Sequence, residues 1–176
     1  HTGSFKLRGA TNAVWSLDDD VRHVVAFSSG NHAQGVARAV TTRGLKATII
    51  MPEDTPATKI EGTKAYGADV VTYDRYTESR EEIGEALSQK YNANLIKPYD
   101  DVRVIAGQGT VGLEIARQAS VMGVVPDALF CCCGGGGLIA GTSIALHAHF
   151  PKTKIWCAEP EFYDDTKRSL ETGAIE

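Results

Sequence analysis

The chain has 176 residues, and its 18 lysines and arginines against 22 aspartates and glutamates leave a formal net charge of -4. That balance provides no polybasic footprint, so neither nucleic acid nor an anionic membrane is an expected partner. No run reaches the roughly 18 uninterrupted apolar residues of a membrane span, and the length suits one ordinary domain or two small lobes.

The opening HTGSFKLRGA has no initiator methionine and already reads as the interior of a motif, so the chain is expected to be an internal stretch of a longer protein. Lys6 lies there between a flexible Gly-Ser pair and a second base, Arg8. An amine that attacks a carbonyl must first lose its proton, which burial or a cationic neighbour favours. The alternative is an ordinary surface charge.

Residues 21–28, VRHVVAFS, form a β-branched and aromatic run that predicts a strand. The loop SSGNHAQG follows at 28–35 and leads into a small-residue helix. Ser28, Ser29 and Asn31 can offer hydroxyls, an amide and backbone N–H groups to an anionic or ring-bearing ligand, or Ser28 or Asn31 can simply cap the helix. The same grammar repeats: KATIIMP as a strand, PATKIEGTKAYG as a turn and short helix, ADVVTYD as a strand, and TESREEIGEALSQKY as an amphipathic helix with Ile83 and Leu87 four apart. NANLIKPYD adds a short strand. Residues 109–119 predict a helix with Thr110 as N-cap and Glu114 in its first turn. DALFCCC then reads as a strand, GGGG as a turn, LIAGTSIALHAHF as an apolar buried helix and KTKIWCAEP as a final strand. Strands alternating with helices of this length imply crossover connections and an α/β fold with a mostly parallel sheet.

Cys131, Cys132, Cys133 and Cys157 form neither a disulfide framework nor a CxxC metal pair. They are expected to be buried thiols at strand ends, which fits a reducing cytoplasm. The sharpest local signal is Gly134, Gly135, Gly136 and Gly137 between a strand and a helix. Four residues without Cβ free the backbone to turn several N–H groups onto an anion, with the helix dipole adding to the attraction, and phosphate is the natural ligand. The pattern is neither a Walker loop nor GxGxxG. A tight turn is the alternative.

SFKLRGA, SSGNHAQG and CGGGGL, in that order, resemble the fold-type II pyridoxal-phosphate enzymes of the serine/threonine dehydratase and serine racemase group. The resemblance covers the whole chain. The cysteine synthase branch of that fold differs, with motifs closer to SVKDR and GTGGT. Membership implies three-layer parallel-sheet lobes of the tryptophan synthase beta-like fold, here in part. Residues 1–21 and 105–176 would belong to a larger lobe and 22–104 to a small one. The resemblance further implies that Lys6 bonds the cofactor aldehyde and acts as base at the substrate Cα. Asn31 would bond the cofactor ring hydroxyl, and Gly134, Gly135, Gly136, Gly137 and Leu138 the 5'-phosphate. Ser28, Ser29, Gly30, Asn31 and His32 would surround the substrate carboxylate.

CAEPEFYDDTKRS resembles the divalent-cation segment of serine racemase and related dehydratases, with Glu159, the Tyr163 carbonyl and Asp165 as matching ligands. Oxygen donors suit Mg²⁺ or Ca²⁺. A solvated acidic turn is the alternative. The implied activity is deamination of a small β-hydroxy amino acid such as serine or threonine by β-elimination of water, with hydroxyaspartate open. A racemase using Lys6 and Ser29 from opposite sides of Cα is the alternative. A non-catalytic fragment or assembly subunit is another. A homodimer is expected for the complete protein, with other segments of the same parent completing the lobes.

Overall fold

The computed structural model describes residues 2–176; residue 1, the first of the expected 1–21 segment, lies outside the described residues. The chain divides into two compact units, residues 1–107 and 108–176. The lobe grouping expected from the resemblance concerns the parent protein and is a separate matter from this division.

In the first unit the helices are α1 (Lys6–Trp15), α2 (Asn31–Thr42), α3 (Ala57–Ala65) and α4 (Arg80–Tyr91), and the strands are β1 (His23–Phe27), β2 (Lys46–Pro52), β3 (Asp69–Tyr73) and β4 (Asn94–Leu95). The strands form one parallel sheet in the order β3-β2-β1-β4. Its central strands are continuous apolar runs because both faces are covered, and alternation then decides which residue faces which layer. Val24, Ala26, Ile49 and Met51 join the core built with Ala10, Val14, Ala33 and Val36 of α1 and α2. Val25, Phe27 and Ile50 face the other way, against Ile83 and Leu87, the pair anticipated on α4.

Local chemistry sets the ends of α4. The Ser79 hydroxyl accepts from the Glu82 N–H at its start, Glu81 and Glu82 favour the positive end of the dipole, and Asn92 closes it at φ 47°. The loop before α2 uses no such side-chain cap. Gly30 is the N-cap residue, and the Ser28 hydroxyl instead accepts the Gly30 N–H at 3.2 Å. Gly35 lets α2 approach α1 closely, since a Cβ there would lie 3.3 Å from both the Ala10 methyl and the Lys6 carbonyl.

The helix α5 (Val102–Met122) corrects the expectation of a helix over residues 109–119 capped by Thr110: it begins at Val102, so Thr110 and Glu114 are interior. Gly107 sits where a Cβ would meet the Arg8 carbonyl at 2.6 Å, so it serves close helix approach. The start is supplied by Asp101, whose carboxylate accepts the Arg103 N–H at 2.8 Å.

The second unit takes the rest of α5, β5 (Ala128–Cys132), α6 (Gly137–His147), β6 (Lys154–Ala158) and α7 (Asp165–Thr172). β5 and β6 pair in parallel, with Cys131 opposite Cys157. Gly109 and Gly112 bring α5 against α6, where added Cβ atoms would meet the Gly141 and Thr142 carbonyls. The expected burial of the thiols is corrected: Cys131 is buried, Cys133 half-buried, and Cys132 and Cys157 are exposed. The α6 helix is likewise buried only along Gly137, Gly141, Thr142 and Leu146, with Ile144 exposed. Among the described residues no helix is long and apolar enough to cross a membrane.

Candidate active site

In the first unit β1 is followed outward by β2 and β3, whereas β4 returns to its other side. Such a reversal leaves a crevice beyond the carboxyl ends of the two strands where the direction switches, the usual ligand position of open parallel sheets. The loop Ser28–Gly30 leaves β1 at that end, and the segment after β4 carries Ile96, Pro98 and Tyr99.

Lys6 is anchored from this segment. It is the first residue of α1, and its Nζ donates to the Pro98 carbonyl at 2.8 Å. The amine also lies 5.4 Å from the Phe5 ring centroid and 6.0 Å from that of Tyr99. Burial lowers its pKa below the ordinary lysine value, because the charged form loses more hydration than the neutral one. The shift has the direction an attacking amine needs, with burial as its cause.

His32, in the first turn of α2, is almost fully buried; its Nε2 lies 3.4 Å from the Ile96 carbonyl, while Nδ1 has no hydrogen-bond partner among the described residues. Desolvation lowers its pKa to about 4; the Ile96 carbonyl and Asp101 oppose the shift, and the nearby Lys6 charge adds to it. The ring is neutral at physiological pH. Its unfolded counterpart titrates near 6.5, so the unfolded chain takes up a proton as pH falls below 6.5 while the folded chain resists down to about 4. Stability is complete above that window and is lost through it. Between pH 7 and 5 the loss from this group is about 2 kcal/mol. Denaturant unfolding of the protein and of a His32→Gln variant at both pH values should show that difference; parallel losses in the two proteins would contradict it.

The first N–H groups of α2 have no intrahelical acceptor, and Gly30 leaves the helix start without a side-chain cap. Asn31 is exposed at that start. Ser28 and Ser29 line a cavity of about 460 Å³ together with Pro52, Tyr73, Arg75 and Arg80. Arg75 pairs with Asp54 at 2.6 Å and Arg80 with Glu81 at 2.8 Å. The first unit thus gathers Lys6, the serines, Asn31 and His32 around the carboxyl ends of β1 and β4. A carboxylate suits the helix start and the hydroxyls.

In the second unit Gly134–Gly137 leave the carboxyl end of β5 and open α6. Gly136 is the N-cap residue at φ 77°, and no side chain caps the helix. A Cβ at Gly134 or Gly136 would meet no protein atom within 4 Å, so the space above the loop is open. Uncapped N–H groups, the dipole and that open space fit a phosphate.

The acidic segment has a use that sequence reasoning did not anticipate. Both Glu159 carboxylate oxygens accept backbone N–H groups at 3.0 Å, from Thr166 and Lys167 at the start of α7. The Thr166 side chain first, and then those two backbone bonds, hold its pKa below the usual carboxylate value. Asp165 is the first residue of α7, and Tyr163 precedes it in an exposed turn. Sequence reasoning also missed the Pro98 carbonyl that holds Lys6, since a backbone acceptor leaves no residue-type signal.

The whole chain, residues 1–176, matches the family described as pyridoxal-phosphate dependent enzyme, and it belongs to that family. Within it, the chain is 48% identical over 176 residues to an L-threo-3-hydroxyaspartate ammonia-lyase of Pseudomonas sp, covering 99% of this chain and 54% of that protein. It is 41% identical to a serine racemase of Schizosaccharomyces pombe, over 98% of this chain and 53% of that one. Among solved structures, the serine racemase of Dictyostelium discoideum superposes with a TM-score of 0.92 at 42% identity, over 99% of this chain and 56% of its own. A crystallised threonine deaminase superposes with a TM-score of 0.91 at 50% identity, with the same coverage of the two chains. The chain therefore spans about half the length of the curated relatives it matches, with the α/β fold of fold-type II pyridoxal-phosphate enzymes.

Proposed function

We propose that the protein is a pyridoxal-phosphate-dependent ammonia-lyase that removes water from a small β-hydroxy amino acid and yields a 2-oxo acid and ammonia. The observation that carries this reading is Lys6, an amine depressed by burial and fixed by the Pro98 carbonyl beside an uncapped helix start. Lys6 would hold the cofactor, with Asn31 toward its ring hydroxyl and Gly134, Gly135, Gly136, Gly137 and Leu138 toward its phosphate. When bound, the cofactor supplies an electron sink for the bond broken at Cα.

The remaining chemistry belongs to the chain's own residues. Ser28, Ser29, Gly30 and the first N–H groups of α2 orient the substrate carboxylate, and the Lys6 amine, in its deprotonated form, takes the Cα proton. Departure of the β-hydroxyl and hydrolysis of the C–N bond then give the oxo acid and ammonia. No second nucleophile has to be admitted, which favours elimination over β-replacement. Serine, threonine and hydroxyaspartate are the substrates to assay; the serine-lined cavity carries two arginines and two glutamates, with Arg75 and Arg80 each paired to a carboxylate, and so selects none of the three by charge. The Ser29 position at that cavity, with serine racemases among the relatives, supports racemisation as a second reading. Stoichiometric oxo acid and ammonia from the full-length protein would support elimination, dominant enantiomer interchange the second reading, and sulfide-dependent cysteine formation without either would overturn both.

The phosphate assignment gives a separable test. Gly134→Ala adds a methyl into space free of protein atoms, so stability should be unchanged while cofactor affinity falls about tenfold or more, an equivalent of about 1.4 kcal/mol. Gly136→Val should weaken it further, since φ 77° disfavours a β-branched residue. Unchanged affinity in both, by equilibrium dialysis, would remove the phosphate from this loop.

The hard-cation reading, Mg²⁺ or Ca²⁺ at Glu159, the Tyr163 carbonyl and Asp165, rests on the acidic segment and on the lone pairs that Glu159 keeps beyond its two N–H bonds. Asp165→Ala should erase the thermal stabilisation that either ion gives the parent. Equal stabilisation of variant and parent would leave Glu159 as a helix cap alone.

A further inference from the structure

Outside the expected cofactor site, and sharing Glu159 with the hard-cation reading as its competitor, the ends of β5 and β6 bring a second donor set together. The ligand atoms of Cys133, Cys157 and Glu159 all lie within 4.8 Å of one another, the only such group of three among the described His, Cys, Asp and Glu side chains. Tetrahedral zinc with Zn–S bonds of about 2.3 Å needs its sulfurs about 3.8 Å apart, so this spacing is within a small rotamer adjustment of a coordination shell.

A disulfide is the competing use of two adjacent thiols, and the strand register decides against it. Cys157 is paired with Cys131 and Ala158 with Cys132, and the Cys133 N–H donates to the Ala158 carbonyl at 3.1 Å. Cys133 is therefore two residues beyond the partner of Cys157. A strand spacing of about 4.8 Å and a rise of about 3.3 Å per residue put their Cα atoms about 8 Å apart. Bridgeable cysteines lie within about 7 Å. The side chains share a face and converge, whereas the backbones stay too far apart for a direct Cys133–Cys157 bond; Cys131, directly opposite Cys157, is the thiol the register would allow Cys157 to oxidise to, and with the thiols reduced a bridging ion is the arrangement that uses Cys133 and Cys157 together.

Glu159 completes the set with an oxygen already oriented. Its hydrogen bonds to Thr166 and Lys167 fix the carboxylate against the start of α7 and leave lone pairs for a metal. The Thr166 hydroxyl, 3.3 Å from the Cys133 sulfur, adds a polar neighbour. Two thiolates select a thiophilic ion over Mg²⁺ or Ca²⁺.

We infer that Cys133, Cys157 and Glu159 form a binding site for a thiophilic divalent cation of the zinc type. Water fills the fourth position, and two thiol protons are released to solvent on binding with no change of oxidation state. The ion ties β5 and β6 to the start of α7, immediately before Gly134. Nothing in this site depends on the proposed lyase activity.

The test is zinc counting on the full-length holoprotein dialysed against micromolar Zn²⁺ in millimolar Mg²⁺. The parent should retain one zinc per chain at this site, as should Cys132→Ser, whose side chain points to the opposite face of the strand. Cys133→Ser and Cys157→Ser should each bind at least about 100-fold more weakly, a loss no smaller than that of an outer-shell partner. Cadmium added to the parent gives a readout independent of any variant: thiolate-to-metal ultraviolet absorption should appear and be reversed by zinc. Zinc binding undiminished in both serine variants, zinc displaced by Mg²⁺, or a parent showing neither zinc nor the cadmium band would overturn the inference.

Discussion

Lys6→Ala is expected to lower the turnover of substrate to oxo acid and ammonia by about 10³-fold or more, because it removes both the nucleophile and the proton acceptor. Lys6→Arg should fall as far. Arginine keeps the charge but stays protonated, so it neither attacks a carbonyl nor takes a proton. A surface lysine would tolerate both changes. This amine is half-buried and steered by one backbone carbonyl and two aromatic rings, and burial lowers its pKa. Folding should survive in both variants, since Lys6 begins its helix without acting as a cap. Turnover within tenfold of the parent in either variant would contradict its role.

Gly112→Ala carries the largest expected effect on stability. In an exposed helix interior the same change would stabilise by about 1 kcal/mol. Here the new Cβ collides with the Thr142 carbonyl and lies 3.0 Å from the Ala145 methyl and 3.1 Å from the Leu146 nitrogen. Two of those three neighbours are backbone, so α5 and α6 must separate, and the expected cost is about 3 kcal/mol. Gly84→Ala in α4 is the internal comparison, because its Cβ would make ordinary contacts of 3.5 Å or more with Leu95, Phe27 and Ile50. That variant should be as stable as the parent or slightly more so. Denaturant unfolding of the full chain measures both, and a Gly112→Ala protein as stable as Gly84→Ala would show that the helices yield freely.

The contrast between these glycines marks where sequence reading reaches its limit. Strand and helix order was legible because parallel strands buried on both faces are continuous β-branched runs, and because Ile83 and Leu87 repeat at helical spacing. The candidate site was legible where the proposed chemistry needs a residue type: an amine at Lys6, hydroxyls at Ser28 and Ser29, and four glycines at the loop proposed to hold an anion. What the sequence concealed is set by partners distant along the chain. The need for glycine at Gly107 and Gly112 is visible only once Arg8 and Thr142 are seen beside them. Glu159 looks like a free acidic ligand until both oxygens are found on α7. The burial of the cysteines was misjudged for a related reason: alternation tells which residues share a face but not whether anything covers it.

The central claim is that Lys6 is the residue that carries the cofactor. Borohydride reduction of the full-length protein loaded with pyridoxal phosphate, followed by peptide mapping, should place the pyridoxyl group on Lys6 at one equivalent per chain, whereas an adduct on Lys46, Lys59 or Lys64 with Lys6 unmodified would contradict the account.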